Sequence, residues 1–200
     1  MIKNALIGFG VAFAAGLGLS FLQTISGSGG SGSNVVVPAV MGMLTFFALQ
    51  MRAGNRKETR VDDDIRRAAL TASVPPGQAS LFVYREGFAG KAVGWNVALD
   101  GVALAQLKSP RFTCTVIQPG RHKLSVSLGL GGFAGTQNTP SETMVDAQAG
   151  EILVYAMKSK MGALSNTLYF TKEADPRATL QKLAKVPMVA PELQDAKAVA

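Results

Sequence analysis

GWNVALDGVALAQLK, residues 94–108, is the stretch on which the fold turns. Asp100-Gly101 sits between two VAL runs, and a type I′ turn needs positive φ at both of its central residues, which Asp-Gly supplies at low cost. The stretch predicts a β-hairpin. Working outward, a period of two runs through SLFVYRE from Ser80, RFTCTVI from Arg111, HKLSVSL from His122, ETMVDAQ from Glu142, EILVYAM from Glu151 and NTLYFTK from Asn166. Gly, Pro, Asn or Asp separates these runs, as in an all-β antiparallel sandwich or barrel.

Pro119-Gly120 marks a second turn. On the strand before it Phe112, Cys114 and Val116 share a face opposite Thr113 and Thr115, and on the strand after it Leu124, Val126 and Leu128 share a face opposite Lys123, Ser125 and Ser127. The expectation is that one face of each strand is buried. EILVYAM is apolar on both faces and predicts a central strand, whereas the aspartate of MVDAQAG predicts a less buried one. The sandwich is expected over 78–174. Residues 175–200 follow as a short helix and a loose tail, with Asp175 as cap, Pro176 at the first helical position, Leu180, Leu183 and Ala184 as a stripe, and Pro187 as the stop.

LFVYRE, VALDGVALAQL, QPGRHKLSV and AGEILVYAM resemble the bacterial domain of unknown function numbered 2846, and the DG hairpin followed by PG and His is also similar to PEGA-type surface domains. The likeness covers about residues 80–170. It implies an all-β domain, commonly attached to the cell envelope, with no established activity. The chain departs from the lipoprotein form of that family because no cysteine follows its first apolar run.

The remainder of the chain has a different character. Of its 200 residues 48% are hydrophobic and 16% charged, yet Lys3 is the one charged side chain before Arg52. Two uncharged runs, about 5–22 and 35–51, are joined by a Gly/Ser loop, and each covers roughly 26 Å as a helix. Residues 1–51 therefore predict a transmembrane helical hairpin inserted in a lipid bilayer. Small residues four apart, Gly8, Ala12 and Gly16 and also Gly10, Ala14 and Gly18, let helix backbones approach closely, either within the hairpin or between protomers of a homo-oligomer.

Arg52, Arg56, Lys57, Arg60, Arg66 and Arg67 crowd the following positions, which places that side in the cytoplasm under the positive-inside rule and points to a bacterial inner membrane. A cleaved signal peptide over residues 1 to about 28 fits the same flank, and a single span would put the domain outside. Residues 52–77 read as a charged stalk and linker. Within it Val61, Ile65, Ala68 and Ala69 form one face of a short helix, with Asp62 to Arg66 and Asp63 to Arg67 pairs four apart. Glu58 and Asp62 to Asp64 offset four of the six basic charges, favouring a topology signal over a lipid-specific site. The net charge of +7 is diffuse and lacks aromatic interleaving, which argues against nucleic acid.

One cysteine and one histidine leave little for metal or triad chemistry, so no cofactor and no enzymatic activity are expected. Cys114 reads as a buried small hydrophobe and His122 as a residue that hydrogen-bonds the turn beside it. Arg85 has two readings: stacked on Trp95 or paired with an acid it is structural, and otherwise it contacts a carboxylate, phosphate or partner. Phe133, alone in the loop Gly129–Ser141, is the second candidate partner contact. The expected function is that of a membrane-anchored accessory or adaptor protein whose sandwich binds or positions a protein partner of unknown identity. A self-assembling structural membrane component is the alternative.

Overall fold

The computed structural model describes Thr45 and residues 58–192, apart from 72, 88–90, 92, 130–139 and 162–165. The expected hairpin, its Gly8, Gly10, Ala12, Ala14, Gly16 and Gly18, the basic residues Arg52, Arg56 and Lys57, the loop residue Phe133 and the last eight residues lie outside the described residues, Thr45 excepted. Among the described residues no helix is long and apolar enough to cross a membrane.

All eight runs of period two are strands: β1 (Ala79–Arg85), β2 (Trp95–Leu99), β3 (Val102–Leu107), β4 (Arg111–Ile117), β5 (Gly120–Leu128), β6 (Ser141–Ala147), β7 (Ile152–Met161) and β8 (Asn166–Lys172). Helix α1 (Asp63–Leu70) precedes them and helix α2 (Pro176–Leu183) follows. The strands form two four-stranded sheets, ordered β4-β1-β7-β8 and β3-β2-β5-β6. The second sheet is antiparallel, but the first is mixed because β1 runs parallel to β7. A parallel pair needs a long connection, and here the entire second sheet and β4 supply it.

The two turns differ in kind. Asp100 and Gly101 have φ of 51° and 82° and close the β2–β3 hairpin, as their sequence demands. Pro119-Gly120 instead carries the chain from β4 in the first sheet to β5 in the second. Opposite Val97 and Ala98 the register shifts, so Leu104 is an extra residue on β3, and both Leu104 and Ala105 are buried.

Leu81, Val83, Trp95, Val97, Leu107, Leu124, Val126, Val145, Leu153 and Tyr155 fill the space between the sheets. A second cluster lies on the outer face of the first sheet, where Phe82, Phe112 and Val154 meet Leu180 and Leu183 of α2 together with Val186 and Met188. Burying each of Phe82, Phe112 and Leu183 contributes ~2 kcal/mol. As expected, β7 is central and β6 is less buried; β6 lies at the edge of its sheet. Asp175 caps α2, its carboxylate accepting from the Ala178 N–H at 3.0 Å.

Three expectations are corrected. First, β4 is buried on both faces. Its register with β1, Leu81 opposite Thr115 and Val83 opposite Thr113, sends the threonines between the sheets. The Thr113 hydroxyl there donates to the Val189 carbonyl at 3.0 Å, while Phe112 and Cys114 face the helices and Val116 is exposed.

Second, α1 packs through Ala69 and Leu70, preceded by Val61, and leaves Ile65 57% exposed. The reason is Arg66, which turns inward and donates to the Ala184 carbonyl at 2.9 Å. Its ion pair is with Asp63 at 3.0 Å, and Arg67 pairs with Asp64, so both spacings are three rather than four.

Third, the start of the tail is bound to the sandwich. The Val189 N–H donates to the Phe112 carbonyl at 2.8 Å and the Glu192 N–H to the Leu104 carbonyl at 2.8 Å, and Met188 and Val189 are buried. On its other side this segment takes up residues 59–61, through Val61 N–H to Met188 carbonyl at 3.2 Å and Ala190 N–H to Thr59 carbonyl at 2.9 Å. The two stretches thus cover the beginning of the β4 edge, a position that proteins protect against strand addition.

Candidate functional site

The polar groups collect at the two ends of the sandwich. At one end β1 finishes at Arg85 and β2 begins at Trp95; at the other the Asp100 turn meets the Pro119 turn. Each is built by strand register, and each uses its side chains differently.

Arg85 is 1% exposed. Its guanidinium lies 3.7 Å from the centre of the Trp95 ring, and Nη1 donates to the carbonyls of Val93 and, at 3.2 Å, Leu107. A planar cation is weakly hydrated and fits over an indole face. Burial draws its pKa down to about 10, which still leaves it charged at neutral pH. Of the two sequence readings the structural one holds, and Arg85 as a partner contact is corrected: no part of its charge reaches the surface.

At the opposite end His122 Nδ1 lies 2.7 Å from the Asp100 carboxylate and Nε2 lies 2.8 Å from the Gln118 carbonyl. Both partners are acceptors, so both ring nitrogens must donate, and only the imidazolium can do that. The Asp100 hydrogen bond raises the His122 pKa; burial opposes it and the Gln118 carbonyl adds to it. Burial alone would raise the Asp100 carboxyl, but His122 and the Lys123 N–H, 2.7 Å away, outweigh it and hold the carboxyl below its ordinary value. His122 thus bonds its own turn, as the sequence suggested, and also ties it to the DG turn.

Cys114 faces the helix layer, half-buried, and burial pushes its thiol up to about 12. A thiol so far from ionising is a poor nucleophile. Tyr84 donates to Glu173 at 2.8 Å on the same face. Among the described residues no group of three or more His, Cys, Asp or Glu could hold a metal ion.

The Arg85 end gathers cations that lie far apart in sequence. Glu58 pairs with Arg111 at 3.3 Å and with Lys108 at 3.7 Å, which fastens the start of the domain to the β3–β4 connection. Arg60, on the adjoining stretch, is exposed. Lys91 is exposed beside the same connection, its carbonyl accepting from the Ser109 N–H at 3.4 Å. The β7–β8 hairpin extends past Arg85, which pairs with Met157, as far as Met161. That overhang is about 13 Å. Lys158 and Lys160 stand exposed on it, and Tyr169, opposite Lys158, is 39% exposed.

Sequence reasoning missed this cluster because Lys158-Ser-Lys160 reads as an ordinary strand end. The available signal was the alternation itself, which puts both lysines on one face. No protein-family model matches the chain, and no curated protein matches it.

Proposed function

We propose that the chain is a membrane-anchored accessory protein whose β-sandwich binds or positions a protein partner, with the anchor supplied by a transmembrane hairpin over residues 1–51. The observation that carries this reading is the unequal covering of the two sheets. α1, α2 and residues 186–189 cover the first sheet, whereas the outer face of the second bears Ala98, Ala103, Ser125, Lys123, Glu142 and Met144, of which Ala103, Lys123, Glu142 and Met144 are exposed. Met144, an exposed apolar side chain of a type enriched at protein contacts, stands on this face as an anchor for a partner. Arg85, Cys114, His122 and Asp100 serve packing and turn geometry, which favours a binding role over catalysis.

Photo-crosslinking side chains at Ala103 and Met144 of the full chain in native membranes test this, with Ala149 as control. A discrete heterologous adduct from the two sheet positions and none from Ala149 is expected. An adduct between two copies instead establishes the self-assembling reading. Equal, unspecific labelling from all three positions overturns both.

A further inference from the structure

The Arg85 end and the Asp100 end treat charge in opposite ways. At the Asp100 end the charges are spent on one another: His122 on Asp100, Arg121 on Asp146 at 3.9 Å, and Lys172 on Glu151 at 3.2 Å. At the Arg85 end Glu58 is held between Lys108 and Arg111, while Lys91, Lys158 and Lys160 form no ion pair among the described residues. Lys158 and Lys160 also project from a hairpin that outruns β1, with no neighbouring strand on the β1 side among the described residues. Tyr169, paired with Lys158, adds an amphipathic ring to the same face.

We propose that this end of the sandwich, through Lys158, Lys160 and Tyr169 of the β7–β8 hairpin and Lys91 beside the β3–β4 connection, docks on an anionic lipid surface. The proposal rests on the membrane-anchored reading. Three observations select lipid as the occupant. Glu58, bound to this end, follows the last residue of the second apolar run, Met51, by seven positions. A chain of that length reaches at most about 25 Å. Lysines with a tyrosine among them are the side chains enriched where protein meets headgroups. Of the acidic residues near the basic cluster in the sequence, Asp63 pairs with Arg66, Asp64 with Arg67 and Glu58 with Arg111. Glu86, exposed directly after Arg85, sets one negative charge at this end against the three positive charges of Lys91, Lys158 and Lys160.

Each basic side chain near an anionic leaflet strengthens association about fivefold, and the effect fades beyond a Debye length. The test places a fluorophore at Thr167, exposed on the hairpin, or at Ala149, exposed at the opposite end, in the full chain reconstituted in lipid nanodiscs carrying a headgroup quencher. With phosphatidylserine present the Thr167 probe is quenched and the Ala149 probe is not. High salt reverses the quenching, pure phosphatidylcholine does not support it, and Lys158→Glu with Lys160→Glu removes it. Both substitutions lie on an exposed edge hairpin, and unchanged circular dichroism confirms the fold. A Thr167 probe that ignores phosphatidylserine, in a chain that resists alkaline extraction, overturns the docking while leaving the anchor intact. A chain released by alkaline carbonate overturns the anchored reading and the docking together.

Discussion

The Arg85 guanidinium and the Trp95 indole are stacked at 3.7 Å, joining the end of β1 in one sheet to the start of β2 in the other. Trp95 is the sole tryptophan of the chain, so its emission reports this contact directly. Arg85→Ala removes the stacked plane and the donors to Val93 and Leu107 and leaves a cavity; the expected loss is about 3 kcal/mol. Arg85→Lys keeps the charge without the plane and should cost about half as much. Urea unfolding followed by tryptophan fluorescence measures both, and a loss below about 0.5 kcal/mol for Arg85→Ala contradicts the structural assignment.

The His122–Asp100 pair makes stability depend on pH with a definite sign. The folded-state pKa of His122 is raised, so its contribution is complete below the unfolded value of about 6.5 and disappears as pH rises through the higher folded value. Asp100 acts at the other limit: its pKa is lowered, so its contribution is complete above about 3.9 and is lost as pH falls through the folded value. Because Asp100 is half exposed, solvent screening keeps the pair below about 1 kcal/mol. The stability difference between the wild type and His122→Gln should be largest between about pH 5 and 6.5 and should shrink above it. With one histidine in the chain, its NMR titration is free of overlap; a midpoint below 6.5 refutes the doubly donating geometry.

Met188 and Val189 separate the docked segment from a loose tail. In a loose tail, substitution changes stability by less than about 0.5 kcal/mol. Because both residues are buried, Met188→Ala should cost about 2 kcal/mol and Val189→Asp more, since it places a charge against the core. Hydrogen exchange at the amides of Val61 and Val189 should accelerate in either variant, as both are bonded within this ribbon.

Gly94 meets Gln106 so closely that an added Cβ would lie 2.5 Å from its Cδ. Gln106 is itself buried and donates to Asn96 at 2.8 Å, so it must give up that place to make room. Gly94→Ala is expected to destabilise by about 1–2 kcal/mol, and Gln106→Ala combined with it should recover part of that loss. A calorimetric melting series on the four proteins decides this.

Strand existence was legible in the sequence because two-residue alternation and turn residues are local properties. So were the central place of β7, written in an apolar pattern on both faces, and the cap at Asp175. Partnership between strands was not. Thr113 and Thr115 look solvent-facing until β1 is known to lie beside them, and β1 joins β7 across 66 intervening residues, from Arg85 to Ile152. Arg66 was misplaced and Arg85 left with two readings for a common reason: an arginine can be buried once carbonyls or an indole receive it, and those groups, Ala184, Val93, Leu107 and Trp95, lie elsewhere in the chain. The lysines of the β7–β8 hairpin escaped notice because an overhang is a relation between two strand lengths, visible once they are paired.

Residues 59–61 lie against residues 188–190, which in turn lie against β4. Tension arriving along the chain through Glu58 therefore loads the Val61–Met188 and Ala190–Thr59 hydrogen bonds before it reaches any bond between the eight strands. The ribbon is a mechanical fuse. Its release would bare the outer edge of residues 188–190, which stay bonded to β4 at Phe112, turning a pull into a newly available strand-pairing surface beside two intact sheets.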